Sequence, residues 1–200
     1  MKTSWKPGTM IYPLPAVLVS CGNQDENYNL FTVAWCGTVC TNPPMCYISV
    51  RPERHSYGII KQTGEFVINL TTESLARATD WCGVKSGRQV NKFQAMRLTP
   101  QKGEKVEAPI VVESPVNIEC KVKSIIPLGS HDMFIAEVVN VQVDDELINP
   151  ATGKFELERA HLITYSHGQY FSLGKELGHF GWSVRKRPKT ATLKDQRLLR

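Results

Sequence analysis

The residues best suited to chemistry lie in one short stretch, 49–56, which contains two arginines, one histidine and two serines. The stretch runs from an expected strand into an expected helix. A helix N-terminus presents unpaired backbone N–H groups and the positive end of the helix dipole. An arginine can bind a phosphate there through two parallel hydrogen bonds. The stretch therefore indicates either a phosphate-binding turn without a glycine-rich loop or a solvated turn whose Ser or Glu caps the helix.

Other catalytic and ligand-binding patterns are missing from the sequence. It contains no GxGxxG, GxxxxGK[ST], HExxH or GxSxG motif. The five histidines and six cysteines show no metal-ligand spacing, so no metal site is expected. A Cys–His nucleophile pair remains open, although nothing in the sequence selects one. Because the N-terminus lacks a secretory signal, the cysteines are expected to be reduced, buried thiols in a cytoplasmic protein.

The positive charge is concentrated at the C-terminus. The formal net charge is +5. Residues 183–200 hold seven basic residues and one acid, a net of +6, so residues 1–182 carry −1. We therefore expect one domain over 1–182 and a basic tail over 183–200. A nearly neutral body does not indicate a nucleic-acid partner, and no apolar run approaches the roughly 20 residues of a membrane helix.

The elements that must position residues 49–56 are mostly strands. Apolar or alternating runs predict strands at 16–21, 30–35, 45–50, 65–70, 117–127, 133–143, 161–166 and 168–174. Helices are expected at 54–62 and 73–81, the second capped by Thr71 or Thr72. Residues 84–115 are expected to form loops. Strands at short spacing, without crossover helices between them, predict a mainly β fold built as an antiparallel barrel.

Four segments, in order, carry a family resemblance. They are NLFTVAW followed by a proline pair and YISVRPERHSYGIIKQTGEFVINL, then WCGVKSGRQVNKF, LGSHDMFIAEV and YSHGQYFSLGKELGHFGWSVRK. Together they resemble the flavin reductase-like family of FMN-binding split barrels, which includes flavoredoxin. The resemblance covers about residues 9–187. It implies a six-stranded antiparallel split barrel with a few short helices, which forms a homodimer and binds FMN at the subunit boundary.

The resemblance also implies which residues hold the cofactor. Next to the isoalloxazine ring it places Asn29, Thr32, Val33, Ala34 and Trp35. At the phosphate end it places Ser49, Val50, Arg51, His55, Ser56 and Tyr57, with Ser86, Gly87 and Lys92 as a second phosphate-side segment. Two alternatives stay open: Trp35 as an ordinary core residue, and Lys92 as an exposed loop lysine.

His131 is the candidate catalytic residue. It falls at the start of an expected strand, after a hairpin turn at 128–131. There it could steer a nicotinamide or tune the flavin, because an unshifted histidine titrates within the working pH range. The alternative is a turn histidine bonded to local backbone. The family more commonly has an acidic residue before this histidine, where this chain has Ser130.

Two functions follow from the resemblance. The first is an FMN-dependent oxidoreductase that takes electrons from NAD(P)H. The second is a flavoredoxin-type carrier that exchanges electrons with a redox protein partner. In both, the flavin carries the electrons and no general acid or base is required, which agrees with the missing catalytic motifs. A third reading is a binding module that uses its basic tail on nucleic acid or an anionic membrane, although neither is an expected partner.

Overall fold

The computed structural model describes residues 1–24 and 27–185. These residues form mainly strands with three short α-helices. The strands are β1 (Leu14–Pro15), β2 (Val17–Cys21), β3 (Asn29–Val33), β4 (Cys36–Cys40), β5 (Met45–Val50), β6 (Glu65–Asn69), β7 (Pro100–Lys102), β8 (Pro109–Val111), β9 (Val116–Pro127), β10 (Asp132–Val143), β11 (Ile163–Ser166) and β12 (Gln169–Ser172). The helices are α1 (His55–Thr63), α2 (Ala76–Val84) and α3 (Lys92–Met96).

The main sheet is curled into a barrel. It has seven strands in the order β3-β2-β6-β9-β10-β5-β4, and all pairs are antiparallel. Its two edge strands, β3 and β4, are separated only by Ala34 and Trp35, which reach about 10 Å. Six strand spacings in a flat sheet would need about 29 Å, so the sheet must bring its edges together. Ser49 N donates to Trp35 O at 2.8 Å across this closure.

The predicted mainly β split barrel is therefore confirmed. The main sheet has seven strands instead of the expected six. The difference arises because β3 and β4 are one run of chain that breaks at Ala34 and Trp35 as it passes from one edge of the sheet to the other.

The barrel core follows the two-residue period of the strands. Along β2, Val17 and Val19 point into the barrel, where they join a cluster that includes Phe134. Leu18 points the other way and packs with Phe93 of α3 in a second cluster beneath the helices. Both faces of β2 are buried, which explains its continuous apolar sequence.

All six cysteines are free, and every one except Cys40 is buried. Burial raises the pKa of Cys21 and of Cys36 to about 12. The expectation of free, buried thiols is thus confirmed for five of the six, while Cys40 is half-buried. These thiols fill space in the core as small apolar groups.

Two local predictions were wrong. The expected loop at 84–115 contains α3 and the β7–β8 hairpin. The helix expected at 73–81 begins only at Ala76, and neither threonine caps it. Thr71 instead donates its hydroxyl to the Ala16 carbonyl, and Thr72 shares a hydrogen bond with Ser74. The hydroxyl groups of both threonines are therefore engaged in other hydrogen bonds.

A second sheet lies beside the barrel and joins the two ends of the chain. It has the order β1-β11-β12, and Thr164 donates its hydroxyl to the Leu14 carbonyl at 2.7 Å. In the described part of the chain, no helix is long and apolar enough to cross a membrane. Of the expected basic tail, residues 183–185 are described and exposed, and residues 186–200 lie outside the described residues.

Candidate functional site

Two neighbouring cavities open at the closure of the barrel. The first, here the apolar cavity, has a volume of about 380 Å³ and is bounded by the β3–β4 junction, the end of β5, α2 and the second sheet. The second, here the basic cavity, has about 250 Å³ and lies between the start of α1 and the loop before α3. Phe31, Arg51 and Arg54 line both cavities, so the two lie side by side.

The basic cavity is built on the N-terminus of α1. The chain turns from β5 into α1 at Arg54, and no side chain of the described residues caps the helix. The first turn of α1 carries no acid, which leaves its positive end uncompensated. Ser56 is only 1% exposed, and its hydroxyl oxygen accepts a hydrogen bond of 2.7 Å from Asn29 Nδ2. Asn29 thereby fixes the serine against the cavity wall.

Gly87 makes the close packing of this wall possible. A Cβ atom at residue 87 would overlap Asn29 Oδ1 and lie 3.0 Å from His55 Cδ2. Because Asn29 is itself buried and bonded to Ser56, it has little freedom to move aside. Only glycine lets the loop before α3 approach β3 and α1 this closely.

Lys92 closes the basic cavity from the side of α3. It is 4% exposed, and its Nζ donates to the Cys82 carbonyl at 2.7 Å. Burial, and to a smaller extent the charge of Arg54, lower the pKa of the Lys92 ammonium to about 8. A buried ammonium at a cavity wall is a strong site for an anion. The alternative of an exposed loop lysine is therefore wrong.

One wall of the apolar cavity consists of Trp35 and His131. Their rings are nearly parallel, with an interplanar angle of 4° and centroids 6.3 Å apart. Trp35 is 37% exposed and lines the cavity, so the alternative of an ordinary core tryptophan is wrong. Ser130 Oγ lies 2.9 Å from His131 Nδ1. Burial, and secondly the charge of Arg51, lower the pKa of His131, which favours the neutral imidazole at pH 7.

The opposite wall contains residues that sequence reasoning missed. Tyr165 and Tyr170 come from the second sheet, and Asp80 from α2. Burial, and then the neighbouring Asp80, raise the pKa of Tyr170 to about 12. The two tyrosine rings pack edge to face with centroids 5.6 Å apart. Only the pairing of β1 with β11 brings these tyrosines to the cavity, and no local motif signals that pairing.

The structure brings together fourteen of the fifteen predicted site residues. Those at the apolar cavity are Thr32, Val33, Ala34, Trp35, Ser49, Val50, Arg51 and His131. Those at the basic cavity are Asn29, Arg51, His55, Ser56, Ser86, Gly87 and Lys92. Unpredicted members of the two linings are Ala16, Phe31, Glu53, Asp80, Gly83, Val84, Lys85, Tyr165 and Tyr170. Arg54, which shares the charge of the 49–56 stretch, lines both.

Tyr57 is the exception, because it lines neither cavity. Its hydroxyl donates to Asp132 Oδ2 at 2.6 Å, and its ring packs against Phe134. Successive residues of an α-helix point about 100° apart. Since Ser56 faces the basic cavity, the next side chain turns toward β10. The placement of Tyr57 at the phosphate end is therefore corrected.

Comparison with known proteins identifies the family. A family model described as the flavin reductase-like domain matches residues 9–174. The chain belongs to the flavin reductase-like family. Membership gives it a flavin-related redox function, in agreement with the resemblance seen in the sequence.

Solved structures of flavoredoxins are similar over nearly the whole chain. Flavoredoxin of Desulfovibrio vulgaris (Miyazaki F) is 30% identical, with a TM-score of 0.85, and the match covers 92% of this chain and 100% of that one. Flavoredoxin from Methanosarcina acetivorans is 25% identical, with a TM-score of 0.82 over 92% of this chain and 100% of that one. An uncharacterised protein of Archaeoglobus fulgidus is 28% identical over 162 residues, or 81% of this chain and 89% of the relative.

The residues present fit a flavin. Trp35 and Val84 are exposed and give the apolar cavity apolar surface, which suits a planar fused ring. Arg51, Arg54 and Lys92 line the neighbouring basic cavity, and their charges suit an anionic group. Arg51 and Arg54 belong to the lining of both cavities.

Proposed function

We propose that the protein is an FMN-dependent oxidoreductase that holds the isoalloxazine ring in the apolar cavity and the phosphate in the basic cavity. The observation that carries the proposal is that the two cavities lie side by side and share Phe31, Arg51 and Arg54. A planar apolar group and a dianion on a short flexible chain are the two chemical parts of FMN. The apolar cavity would receive the ring, and the basic cavity beside it would receive the phosphate.

The phosphate end depends on fixed donors. The uncapped N-terminus of α1 supplies backbone N–H groups and a favourable dipole. Ser56 accepts from Asn29 and lies within hydrogen-bonding reach of Cys21, so its side chain is held in place at the wall of the basic cavity. Arg51, Arg54 and Lys92 supply charge. Because Asn29 and Lys92 are buried and bonded before any ligand arrives, little ordering is needed on binding.

The ring end depends on shape and on the backbone. The break between β3 and β4 interrupts the regular ladder of the sheet at Ala34 and Trp35. The Trp35 carbonyl accepts from Ser49 N, and the remaining peptide groups of the break can meet the polar edge of the flavin. Trp35 and the two tyrosines exclude water from the ring. When bound, FMN supplies the electron transfer itself. His131, held neutral by burial and the nearby arginines, can donate or accept a hydrogen bond at the ring.

The electron donor distinguishes two versions of this function. In the first, NAD(P)H reduces the bound flavin from the open side of the apolar cavity. In the second, the protein is an electron carrier that exchanges electrons with a redox protein. The second version is favoured by the similarity to two flavoredoxins along their entire chains. The first is favoured by the matching flavin reductase-like domain.

We also propose that the active form is a homodimer. Trp5 is 78% exposed and Leu177 is 90% exposed, and Ile11, Phe180 and Val184 are exposed as well. Large apolar side chains in such number at both ends of a chain usually mark a contact surface. The two ends of the described chain, which hold these side chains, would then face a second copy. Six free cysteines agree with the proposed cytoplasmic location.

Two observations test the function. The purified protein, or the protein incubated with FMN and desalted, should be yellow, and its chromophore should elute with FMN after denaturation. A protein that stays colourless and refuses added FMN would refute the proposal. Anaerobic titration with NADH and with NADPH then separates the two versions. Bleaching by either nucleotide supports the reductase, and failure of both leaves only the carrier.

A further inference from the structure

Two buried cysteines from different strands meet inside the barrel. The Sγ atoms of Cys46 on β5 and Cys120 on β9 lie 3.5 Å apart. The S–S bond of a disulfide is about 2.05 Å long, so each sulfur would have to move by only about 0.7 Å to form one. Neither residue lines the apolar or the basic cavity, so this pair of thiols is separate from the proposed flavin site.

The curl of the main sheet brings the two sulfurs together. Strand β10 lies between β5 and β9, and both cysteines belong to the cluster of side chains that fills the barrel. The residue opposite Cys46 on β10 is Ala136, whose small side chain leaves room for the sulfurs to meet above it. The Cys120 thiol also lies 3.4 Å from the Ile118 carbonyl oxygen, to which it can donate. This second contact fixes the direction of the Cys120 side chain.

The two thiols differ in accessibility and in acidity. Cys46 is 7% exposed and follows the half-buried Met45 at the start of β5, whereas Cys120 is completely buried. The contact with Cys120 lowers the pKa of Cys46. The same contact, together with burial, raises the pKa of Cys120. Because the thiolate is the nucleophile in thiol chemistry, Cys46 should react first and Cys120 should keep its proton until a second step.

We propose that Cys46 and Cys120 form a modification site at which hydrogen peroxide produces an intramolecular disulfide. The Cys46 thiolate attacks one peroxide oxygen, the O–O bond breaks, and Cys46 becomes a sulfenic acid. The hydroxide released takes up the proton that Cys46 lost. The Cys120 sulfur then attacks the Cys46 sulfur, the S–O bond breaks, and the Cys120 proton leaves with the hydroxyl group as water. Two thiols lose two electrons in all, and the peroxide is reduced to two molecules of water. None of these steps uses a flavin, so the site is independent of the proposed function.

The test treats the reduced wild-type protein with hydrogen peroxide under native conditions, then denatures it and counts its free thiols with a maleimide. Two of the six cysteine thiols should be lost, and the peptide map should show residue 46 linked to residue 120. Dithiothreitol should restore all six thiols. Cys40→Ser, at the half-buried cysteine of β4, is the matched control and should form the same bond. Cys120→Ala should instead accumulate a sulfenic acid at Cys46, which dimedone traps.

A second measurement compares the unfolding of reduced and oxidised wild-type protein in urea. The bond joins residues 46 and 120 and so restricts the unfolded chain, and oxidation should therefore raise the urea concentration at the midpoint of unfolding. An unchanged or lower midpoint would show that the folded barrel does not accommodate the bond and would overturn the inference. Three results of the thiol assay on wild type would also overturn it: six free thiols after oxidation, a bond that joins Cys46 to Cys36, or a 46–120 bond that forms only in urea.

Discussion

The apolar cavity and the basic cavity are built in different ways although they share three residues. The basic cavity is made from two short stretches, 51–56 and 85–92, together with Asn29 and Phe31. The apolar cavity draws on the barrel closure, α2 and a second sheet whose strands come from both ends of the chain. Replacement of one charged residue or of Gly87 should therefore be enough to disrupt the basic cavity. The apolar cavity depends on the packing of distant elements and should respond to the loss of contact area.

The largest effect is expected at Gly87. In Gly87→Ala, the new Cβ would overlap Asn29 Oδ1 and crowd His55. Overpacking costs about 1–3 kcal/mol, so we expect FMN affinity to fall about 100-fold. The measurement is fluorescence titration with FMN, with circular dichroism to confirm folding. Gly58→Ala is the control, since a Cβ at that helix position meets nothing within 4 Å. Unchanged FMN affinity in the folded Gly87→Ala protein would show that the wall does not contact the cofactor.

Arg51→Ala should weaken a ligand that carries a phosphate more than one that lacks it. Hydrogen bonds to charged groups contribute about 1.5–3 kcal/mol, so FMN affinity should fall about 30-fold. Riboflavin, which lacks the phosphate, should lose little. Lys123→Ala, whose partner is Glu137 on the barrel surface, serves as a charge-matched control. Equal losses for FMN and riboflavin would place Arg51 beside the ring and away from the phosphate.

The pH dependence of FMN binding should report Lys92. Burial lowers its pKa to about 8, so most molecules carry the ammonium at pH 7 and lack it at pH 9. FMN affinity should fall about tenfold over that range, because one positive charge at the phosphate is lost. Riboflavin affinity should stay flat, and Lys92→Met should remove the pH dependence of FMN binding. An FMN affinity that is flat in wild type would contradict the role of Lys92.

The contribution of Lys92 to stability should change with pH in the opposite direction. The ordinary pKa of lysine is about 10.4, so between about pH 8 and 10.4 this side chain binds more protons in the unfolded chain than in the folded one. The Lys92 contribution to the free energy of unfolding of the flavin-free protein therefore rises with pH across this window. Urea denaturation of wild type and Lys92→Met at several pH values measures the difference between them.

Trp35→Ala tests the ring side. The residue packs parallel to His131 and lines only the apolar cavity. Loss of an aromatic contact costs about 0.5–1.5 kcal/mol beyond area burial, so FMN and riboflavin should both weaken about fivefold. Trp182→Ala, in a tryptophan away from both cavities, is the matched control. A loss confined to FMN would mean that Trp35 supports the phosphate end instead.

The smallest effect on binding is expected at Tyr57. Tyr57→Phe removes the hydrogen bond to Asp132, which should lower the free energy of unfolding by about 1 kcal/mol. FMN affinity should be unchanged within twofold, because Tyr57 lines neither cavity. Denaturation and flavin titration of the same preparation measure both quantities. A clear loss of FMN affinity would restore Tyr57 to the binding site.

The sequence predicted the basic cavity better than the apolar one, for a physical reason. Residues 49–56 and Lys92 are recognisable because charge, a helix start and family motifs coincide along the chain. Tyr165 and Tyr170 could not be predicted, because they reach the cavity only through a sheet that pairs Leu14 with Tyr165. The error at Tyr57 was avoidable. Residues 55–57 span about 200° around the helix, so His55, Ser56 and Tyr57 could not all face one cavity.

For the fold, too, features set by local sequence were predicted and features set by long-range packing were missed. Alternation and turn residues predicted the barrel and eight of the twelve strands of the described residues, because these depend on local pattern. The short strands β1, β4, β7 and β8 were missed. The break at Ala34 and Trp35 depends on where the sheet must close, and α3 and the β7–β8 hairpin depend on packing against β2 and β6. The break has no local signal in the sequence. The α3 helix and the hairpin lie in residues 84–115, where Gly, Lys and Gln obscure any strand or helix pattern.

The central claim is that one ligand spans the apolar and basic cavities, with its ring in the first and its phosphate in the second. The most direct measurement is the ratio of FMN to riboflavin affinity for the flavin-free wild-type protein at pH 7. The phosphate adds several charge-assisted hydrogen bonds, of about 1.5–3 kcal/mol each, so FMN should bind at least about 100-fold more tightly than riboflavin. Equal affinities would show that the basic cavity does not hold the phosphate and would contradict the account.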